Sequence, residues 1–443
     1  MKIDAGTVAV AVMMLLSSGS SSQAAGSAPP LRPVLALKGL DPVALISGKE
    51  VPGDPKFVVE RGRFLYRFAN ADDKAEFEAK PARYEIQLRG QCAMYPGMMG
   101  APDVFAVYEG RIYLGGNRHC LASFLKAPRT ALRRHAERKK VAILVFEGVQ
   151  IIDYTGPYEV FGQAGCDVFT VAERSDTLTT NMGMMIVPNF TLENCPHADI
   201  VVLPGGNVDP SLEHPAIIHW IKESADKATY VLSVCNGAFF LAKAGMLDGL
   251  TATTFHRLLD NLQREAPKCR VVSDQRFTDN GKIITSAGLS SGIDGALHVV
   301  EKMHGKGFAQ QLALGIEYNW QPEARFARAK FADMNLIRAF GRGFDFPEPA
   351  VAKLYSTHGD ADHWDKVWDI RNLAEADVRG IVDARLAKSW TKAAAKGSPD
   401  ESASHWNFSD PHGGSWQGAA SVQAVTGAEP MVRLTIHIER VRQ

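Results

Sequence analysis

Runs of hydrophobic residues divide this chain into regions with different patterns. Between residues 138 and 320, runs that are wholly or almost wholly apolar alternate with segments of helical period. The clearest runs are 141–145, Ile200–Leu203 and Tyr230–Val234, the last with Ser233 as its one polar residue. Strands that are hydrophobic on both faces and separated by helices are typical of a parallel sheet covered on both sides. The pattern predicts an α/β fold, and ligands of such sheets bind beyond the carboxyl ends of the strands.

The region before it, residues 33–137, has shorter apolar segments separated by turn signals. Residues 57–60 and 63–68 flank Arg61-Gly62 and predict a hairpin, and 71–79 predicts a short helix. A second hairpin is expected within 103–114, with its turn at Glu109-Gly110. These signals predict a small α+β module at the N-terminal side of the α/β domain.

The composition changes again at Pro322, and residues 321–443 form a third region. Apolar residues recur at helical spacing over 324–340, a second helical segment is predicted over 374–396, and 396–404 is a polar hinge. Strand-like pieces follow at 405–408, 416–424 and 431–441, with turn signals at 410–414. We expect an α+β segment with helices and a β-hairpin, which we assign to no family.

Charge and length limit the classes of function. Lysine plus arginine and aspartate plus glutamate each number 49, so no global basic field attracts nucleic acid. A chain of 443 residues is long enough for two or three domains. We therefore expect a multidomain protein with no nucleic-acid partner.

The first 28 residues are typical of an export signal. Lys2 opens the segment, 8–16 is an apolar run too short to span a bilayer, and Ser22-Gln23-Ala24 suits a cleavage site. Because Asp4 weakens the positive start, an uncleaved N-terminal anchor is the alternative. The expected location is periplasmic or secreted, with membrane contact only if the segment stays uncleaved.

One stretch of the α/β region carries the pattern of a nucleophile elbow. The strand Tyr230–Val234 runs into Cys235, which Ser233 and Gly237 flank as small residues, and a helical segment follows. Small flanking residues suit a turn so sharp that bulky side chains would clash. A thiol at a helix N-terminus is also favoured as thiolate. The alternative is that Cys235 is a buried, unreactive cysteine.

Two further loops are expected at the same sheet edge. The loop after 141–145 leads through Asp153 into a helix, and Ile200–Leu203 ends in Pro204-Gly205-Gly206. The backbone N–H groups of these glycines, with that of Asn236, can form an oxyanion hole. The alternatives are that the glycines make a plain tight turn and that Asp153 caps its helix. No phosphate loop or dinucleotide fingerprint is present, and we expect no cofactor.

The motifs combine into a family pattern. They are Asp153-x-x-Gly156-Pro157-x-Glu159-Val160-Phe161, Leu203-Pro204-Gly205-Gly206, Ser233-Val234-Cys235-Asn236-Gly237-Ala238-Phe239, and the stretches 244–249, 251–254 and 283–294. In this order they resemble the ThiJ/PfpI family, with its flavodoxin-like, class I glutamine-amidotransferase-like fold, over 138–320. The resemblance implies that Cys235 is the reactive thiol. In the isonitrile hydratase-like branch, the acidic residue corresponding to Asp153 acts beside the thiol. Relatives commonly form dimers, so a homodimer is expected.

Histidine positions separate the branches of this family. Peptidase-like members carry histidine directly after the nucleophile, where this chain has Asn236, so proteolysis is disfavoured. Many relatives carry Ala-Thr-Thr-His after the elbow helix, and here His256 is displaced by one residue. His256 is our candidate base or hydrogen-bonding partner, and its alternative is a core or surface histidine.

The N-terminal region also resembles a known module. Gly39-Leu40-Asp41-Pro42-Val43-Ala44, Pro81-Ala82-Arg83-Tyr84, Gly90-Gln91-Cys92-Ala93 and 103–114 together resemble a YHS domain over 33–137. Such modules are suspected of metal binding, and Cys92, Met94, His119 and Cys120 are ligand types that suit copper(I). Their irregular spacing favours a structural or docking role instead. In an oxidising compartment Cys92 and Cys120 are the first pair to test for a disulfide.

A second polar group lies in the C-terminal region. His358, Asp360, Asp362 and His363 suggest a metal cluster, but a polar loop is the preferred interpretation.

The sequence thus favours an enzyme, a cysteine-dependent hydrolase or hydro-lyase acting on a small molecule. Cys235 is the predicted nucleophile, Asp153 its proton-transfer partner and His256 a candidate base. Gly205, Gly206, Asn236 and Gly237 are predicted to build the oxyanion and substrate site. The alternative is a non-catalytic redox sensor or ligand-binding protein that uses the same cleft.

Overall fold

The structure is a computed structural model that describes residues 33–323, 327–341, 344–393, 403–411, 413–426 and 430–441. The predicted export signal, most of the predicted hinge at 396–404, and His412 lie outside the described residues. The chain forms two compact units, residues 33–90 with 100–118, and residues 91–99 with 119–441. Within the described ranges, no helix has the length and apolar character needed to cross a lipid bilayer.

The first unit contains both predicted hairpins. Its three-stranded sheet has Phe64–Phe68 in the centre, parallel to Val34–Leu35 and antiparallel to Asp54–Arg61. The second hairpin pairs Phe105–Tyr108 with Arg111–Leu114, and Glu109 and Gly110 at its turn have φ of 49° and 66°. Two positive φ values in succession are typical of a tight hairpin turn, which explains the sequence signal.

The helices of the first unit pack against this sheet. They are Pro42–Ile46, Ala71–Ala79 and Pro81–Tyr84, with single 3₁₀ turns at Leu37–Gly39 and Leu88–Gly90. Ala71–Ala79 has the predicted bounds because Asn70 caps it, its side chain accepting the Asp73 N–H at 2.9 Å. Phe68 and Phe77 meet edge to face in the core. The resemblance of this region to a YHS domain stays a prediction.

The second unit contains the predicted α/β sheet. Its seven strands lie in the order Phe190–Thr191, Asp167–Ala172, Lys140–Leu144, Ile200–Leu203, Tyr230–Val234, Ile283–Ser286 and Phe277–Asn280. All neighbours are parallel except the last pair. Every residue of Ile200–Leu203 is buried, as expected for an inner strand covered on both faces. The prediction of a parallel sheet is confirmed.

Helices connect these strands, and short strand pairs lie beside the sheet. The helices are Arg118–Lys126, Pro128–Ala136, Ile151–Gln163, Asp209–Leu212, Pro215–Lys227, Ala238–Lys243, Leu259–Glu265, Ser291–His304 and Lys306–Gly315. The short pairs are Leu178–Thr179 with Met185–Ile186, and Thr251–Ala252 with Arg270–Val271. Because the strands are parallel, the loops after Leu144, Leu203, Val234 and Ser286 all lie at one sheet edge.

The C-terminal part of the second unit has a sheet and core of its own. Six antiparallel strands lie in the order Val351–Gly359, His363–Arg371, Met431–Arg440, Ser415–Val425, Ser404–Ser409 and Thr391–Ala393. The helices Asp333–Phe340 and Glu375–Leu386 contribute to the same apolar core as Trp368 and Trp406. A 3₁₀ turn, Arg328–Lys330, precedes them.

Several C-terminal predictions need correction. The three strand-like pieces at 405–408, 416–424 and 431–441 are confirmed as strands. The helix predicted to run on to 396 ends at Leu386, and Thr391–Ala393 is a strand. The hairpin of Val351–Gly359 with His363–Arg371 is not among the predicted elements. Val351–Gly359 is an edge strand with most positions exposed, so it lacks the alternation that identifies a half-buried strand.

Candidate functional site

Cys235 occupies the sharp turn predicted for it. The strand Tyr230–Val234 ends one residue earlier, and a helical turn, Cys235–Gly237, leads into Ala238–Lys243. Cys235 has φ of 58°, a left-handed conformation that costs a non-glycine residue about 1–2 kcal/mol. Its side chain is buried, with 8% of the residue exposed. The backbone therefore has the geometry of a nucleophile elbow, with the thiol at the carboxyl edge of the sheet.

The glycines around the elbow are needed because two loops approach closely. A Cβ at Gly237 would stand 2.0 Å from the Leu203 carbonyl oxygen. A Cβ at Gly205 would stand 2.2 Å from Asn236 Oδ1 and 2.9 Å from Cys235 Cβ. The Thr254 hydroxyl also donates to the Cys235 carbonyl at 2.7 Å. The crowding that the sequence pattern predicted comes from the loop after Ile200–Leu203.

Asp153 points into this site from the helix Ile151–Gln163. It is fully buried and accepts hydrogen bonds from the Gly205 N–H at 3.2 Å and the Leu289 N–H at 3.1 Å. The Cys235 thiol lies close enough for each of the two side chains to shift the pKa of the other. The helix N-cap is Gln150, so Asp153 does not serve as the cap. The structure therefore brings Asp153 and Cys235 together.

Burial controls the protonation of this pair. It raises the pKa of Asp153 from 3.8 to about 7, although the thiol and the two N–H donors act in the opposite direction. Burial, followed by the charge of Asp153, raises the pKa of the Cys235 thiol, and the Asn236 N–H lowers it. The expected preference for thiolate at a helix N-terminus is therefore outweighed by desolvation. When Asp153 is protonated, its charge no longer raises the pKa of the Cys235 thiol, because a neutral carboxyl does not repel a thiolate.

The predicted oxyanion donors are largely engaged elsewhere. The Gly206 N–H donates to Asn236 Oδ1 at 2.9 Å, and Asn236 Nδ2 donates back to the Gly206 carbonyl at 2.8 Å. The Gly205 N–H donates to Asp153. Of the three predicted donors, the N–H of Asn236 remains, and it faces the Cys235 sulfur. In this conformation Gly205 and Gly206 hold the site together and do not form an oxyanion hole.

A cavity of about 260 Å³ lies beside the elbow. Its lining includes His256, Phe255, Gly288 and Leu289. A Cβ at Gly288 would stand 2.7 Å from the Phe255 ring and 3.4 Å from Cys235 Sγ. Cys235 itself does not line the cavity, and Gly288 lies between the cavity and the sulfur without a side chain.

His256 lies on the cavity wall and not against the thiol. Its ring packs on Phe255 with centroids 4.3 Å apart. Burial, then the charges of Arg328 and Arg257, lowers the pKa of His256 to about 4, so the ring is neutral at pH 7. Among the described residues, no hydrogen bond links His256 to Cys235 or Asp153.

Sequence reasoning missed Leu289 and the arginines of the cavity. Leu289, with φ of 54°, presents its N–H to Asp153. It lies in the 283–294 stretch of the family pattern, which does not show which partner the backbone would contact. Arg276 and Arg328 also line the cavity, and neither belongs to a motif.

The disulfide named for testing is not formed, and the less favoured metal cluster of the C-terminal region is not assembled. All six cysteines lie in the described residues and are free thiols, including Cys92 and Cys120. Where residues are described, no three His, Cys, Asp or Glu side chains are grouped to hold a metal ion. His358 instead pairs with Asp365 at 3.4 Å, and His363 with Asp360 at 3.0 Å.

Comparison with known proteins identifies the family of the α/β domain. Residues 139–302 match the family model described as DJ-1/PfpI family. The isonitrile hydratase of Pseudomonas putida is 36% identical over 184 residues, which are 40% of this chain and 78% of that protein. The HTH-type transcriptional regulator CdhR of Pseudomonas aeruginosa is 28% identical over 41% of this chain and 56% of its own length. A ThiJ/PfpI family protein from Pseudomonas syringae, of known structure, has 27% identity and a TM-score of 0.41, covering 46% of this chain and 84% of that one. On its motifs, its sheet and its identity with the hydratase, the chain belongs to the DJ-1/PfpI family.

Proposed function

We propose that this protein is a cysteine-dependent hydro-lyase or hydrolase that adds water to a polarised carbon of a small molecule, with isonitriles as the leading substrate class. One observation carries the proposal: a fully buried carboxyl with a pKa near neutrality lies beside an elbow thiol. The similarity to the Pseudomonas putida isonitrile hydratase supports the same chemistry. The cavity of about 260 Å³ suits a small molecule better than a peptide.

The first step joins the substrate to the enzyme. Cys235 transfers its proton to Asp153, and the sulfur attacks the terminal carbon of the isonitrile, so that a C–S bond forms. Asp153 then delivers the proton to that carbon, which gives a thioimidate, R–N=CH–S–Cys235. A carboxyl whose pKa is about 7 can accept and return a proton at neutral pH. Because the pKa of the thiol is raised above that of Asp153, the transfer from sulfur is uphill, and formation of the C–S bond completes the step.

The second step releases the product. Water adds to the thioimidate, its hydroxyl going to carbon and its proton to nitrogen. The C–S bond then breaks, the hydroxyl proton passes through Asp153 to the sulfur, and the product is an N-substituted formamide, R–NH–CHO. The Asn236 N–H faces the sulfur and stabilises it when it leaves as thiolate. His256, neutral on the cavity wall, is available to orient the water.

A substrate screen tests this function. The full-length protein is incubated with isonitriles, glyoxals and simple amides, and formamide or other products are measured by NMR. Cys235→Ala is expected to abolish turnover. The matched control is Cys269→Ala, because Cys269 is a buried thiol whose sulfur contacts the Leu250 carbonyl away from the cavity. Turnover that survives in Cys235→Ala would refute the mechanism.

A second candidate is a redox sensor or ligand-binding protein that uses the same cleft. Burial and Asp153 raise the pKa of Cys235, which disfavours a thiolate that reacts with oxidants and so favours ligand binding over redox sensing. Alkylation of Cys235 across pH distinguishes the two. A thiol that reacts only above its ordinary pKa of about 8.5, in a protein without turnover, would favour ligand binding without catalysis. Export, a homodimer and the absence of a nucleic-acid partner stay predictions.

A further inference from the structure

Part of the cavity wall lies outside the family match. The match ends at residue 302, but Ala327, Arg328 and Ala329 line the cavity together with Thr254, His256 and Gly288. The segment Arg328–Lys330, which precedes the C-terminal sheet, therefore completes the cavity beside Cys235. A substrate in this cavity meets side chains that the family motifs do not include.

Arg328 is held in place by its own region. Its Nη1 and Nη2 donate to the Asp333 carboxylate at 2.7 and 2.6 Å, and its guanidinium lies 5.7 Å from the Phe331 ring centroid. Lys330 also pairs with Asp274 at 3.5 Å, and Asp274 lies between the cavity residues Ser273 and Gln275. A bidentate pair uses two of the five N–H donors of a guanidinium and orients the others.

Arg276 is supported in a similar way. Its Nε donates to Asp294 at 2.7 Å, and Asp294 is almost fully buried. The Tyr318 hydroxyl donates to the same carboxylate at 3.1 Å. Both carboxylates, Asp294 and Asp333, are outside the cavity lining. Arg276 and Arg328 therefore line the cavity, whereas the carboxylates that pair with them do not.

The lining is therefore uniform in the sign of its charge. Its ionic side chains are Arg276 and Arg328, and no aspartate or glutamate is found among the described residues that form it. The remaining polar side chains are His256, the hydroxyls of Thr253, Thr254, Ser273, Ser290 and Ser291, and the amide of Gln275. The guanidinium groups and the hydroxyls other than that of Thr254, which donates to the Cys235 carbonyl, match the oxygens of a carboxylate.

We propose that Arg328, together with Arg276, forms an anion-binding subsite, and that the substrate of Cys235 is a small molecule that carries a carboxylate. This deepens the proposed function, since it names the substrate class of the same cavity. Arg328 acts as a specificity-determining residue: it binds the carboxylate and does not take part in bond making. The volume of about 260 Å³ limits the ligand to a short-chain acid.

A pair of alkylating reagents tests the subsite without any substrate. Iodoacetate and iodoacetamide have nearly the same shape but differ in charge. Rates at Cys235 are measured by mass spectrometry in the full-length protein, and the iodoacetate-to-iodoacetamide ratio is compared with that of glutathione. A charge-assisted hydrogen bond predicts a ratio at least about tenfold above that of glutathione. Arg328→Gln should bring the ratio close to the glutathione value.

Arg257→Gln is the matched control. Arg257 lies next to His256 and is exposed, but it does not line the cavity, so its loss should leave the ratio unchanged. A wild-type ratio equal to that of glutathione, or a ratio that Arg328→Gln does not lower, would overturn the proposal. Equal decreases of the ratio in Arg328→Gln and Arg257→Gln would also overturn the proposal, because they would indicate a general effect of protein charge.

Binding measurements on the wild-type protein require neither a variant that folds nor a substrate that turns over. Propanoate, but not propanamide, should protect Cys235 from iodoacetamide, and calorimetric titration should show the same preference if the thiol does not react. Equal protection and equal binding by both compounds would count against the subsite. An absence of isonitrile turnover would refute the proposed function alone, since none of these measurements requires turnover.

Discussion

Replacing Gly237 with alanine tests how tightly the elbow packs against the neighbouring strand. The added Cβ would stand 2.0 Å from the Leu203 oxygen, 2.8 Å from the Leu203 carbonyl carbon and 2.9 Å from the Pro204 carbonyl carbon. Gly237 has φ of −58° and ψ of −19°, an ordinary helical conformation, so alanine has no conformational penalty there. The whole effect comes from overlap with backbone atoms, which cannot rotate away as a side chain can.

The size of the effect follows from the overlap. Carbon atoms in contact prefer separations of about 3.5 Å or more, so the elbow and the loop after Leu203 must separate by roughly 1 Å. Overpacking of this kind costs about 1–3 kcal/mol. The displacement also moves Cys235 away from Asp153, so we expect lower stability and an altered alkylation rate of the thiol.

Urea unfolding and iodoacetamide alkylation measure the two consequences. Gly162→Ala is the matched control, because Gly162 lies in the helix Ile151–Gln163 of the same domain and an added Cβ meets no atom within 4 Å. Alanine in a helix is favoured over glycine by about 0.5–1 kcal/mol, so the control should be neutral or more stable. If Gly237→Ala unfolded at the wild-type urea concentration and reacted at the wild-type rate, the steric reasoning would be wrong.

Three further predictions concern the side chains of the site. Burial raises the folded-state pKa of Asp153 from 3.8 to about 7, so the stability associated with its protonated form is complete below pH 3.8 and is lost as the pH rises through 7. The unfolding free energy of the wild type should therefore fall by ~4 kcal/mol relative to Asp153→Asn between pH 4 and about 8, and parallel pH curves would contradict this. Asn236→Ala leaves the N–H and carbonyl of Gly206 without their partner, so urea unfolding should show a loss of about 1–3 kcal/mol; an unchanged midpoint would disagree. In the turnover assay, Asp153→Asn should lower kcat by about 10²–10⁴-fold and His256→Asn by less than about tenfold, and the reverse order would assign proton transfer to His256.

The sequence determined the local elements because their signals are local. Wholly or almost wholly apolar runs predicted the inner strands, and Tyr230–Val234 has the predicted bounds. The small residues around Cys235 predicted the elbow, whose φ of 58° agrees with that pattern. The motif order also identified the family. Each of these signals rests on side-chain periodicity or on steric limits within a few residues, which are readable without knowing the rest of the fold.

Only the tertiary structure decided which groups meet at the elbow. Asp153 accepts the N–H of Leu289, 136 positions later in the chain, and the Asn236 side chain occupies the N–H of Gly206, which the sequence pattern offered as an oxyanion donor. Arg328 reaches the cavity from outside the family match, and the exposed edge strand Val351–Gly359 has no pattern to predict it. The physical reason is the same in each case. Hydrogen-bond partners and burial depend on which segments fold against each other, and neither residue types nor spacing contain that information.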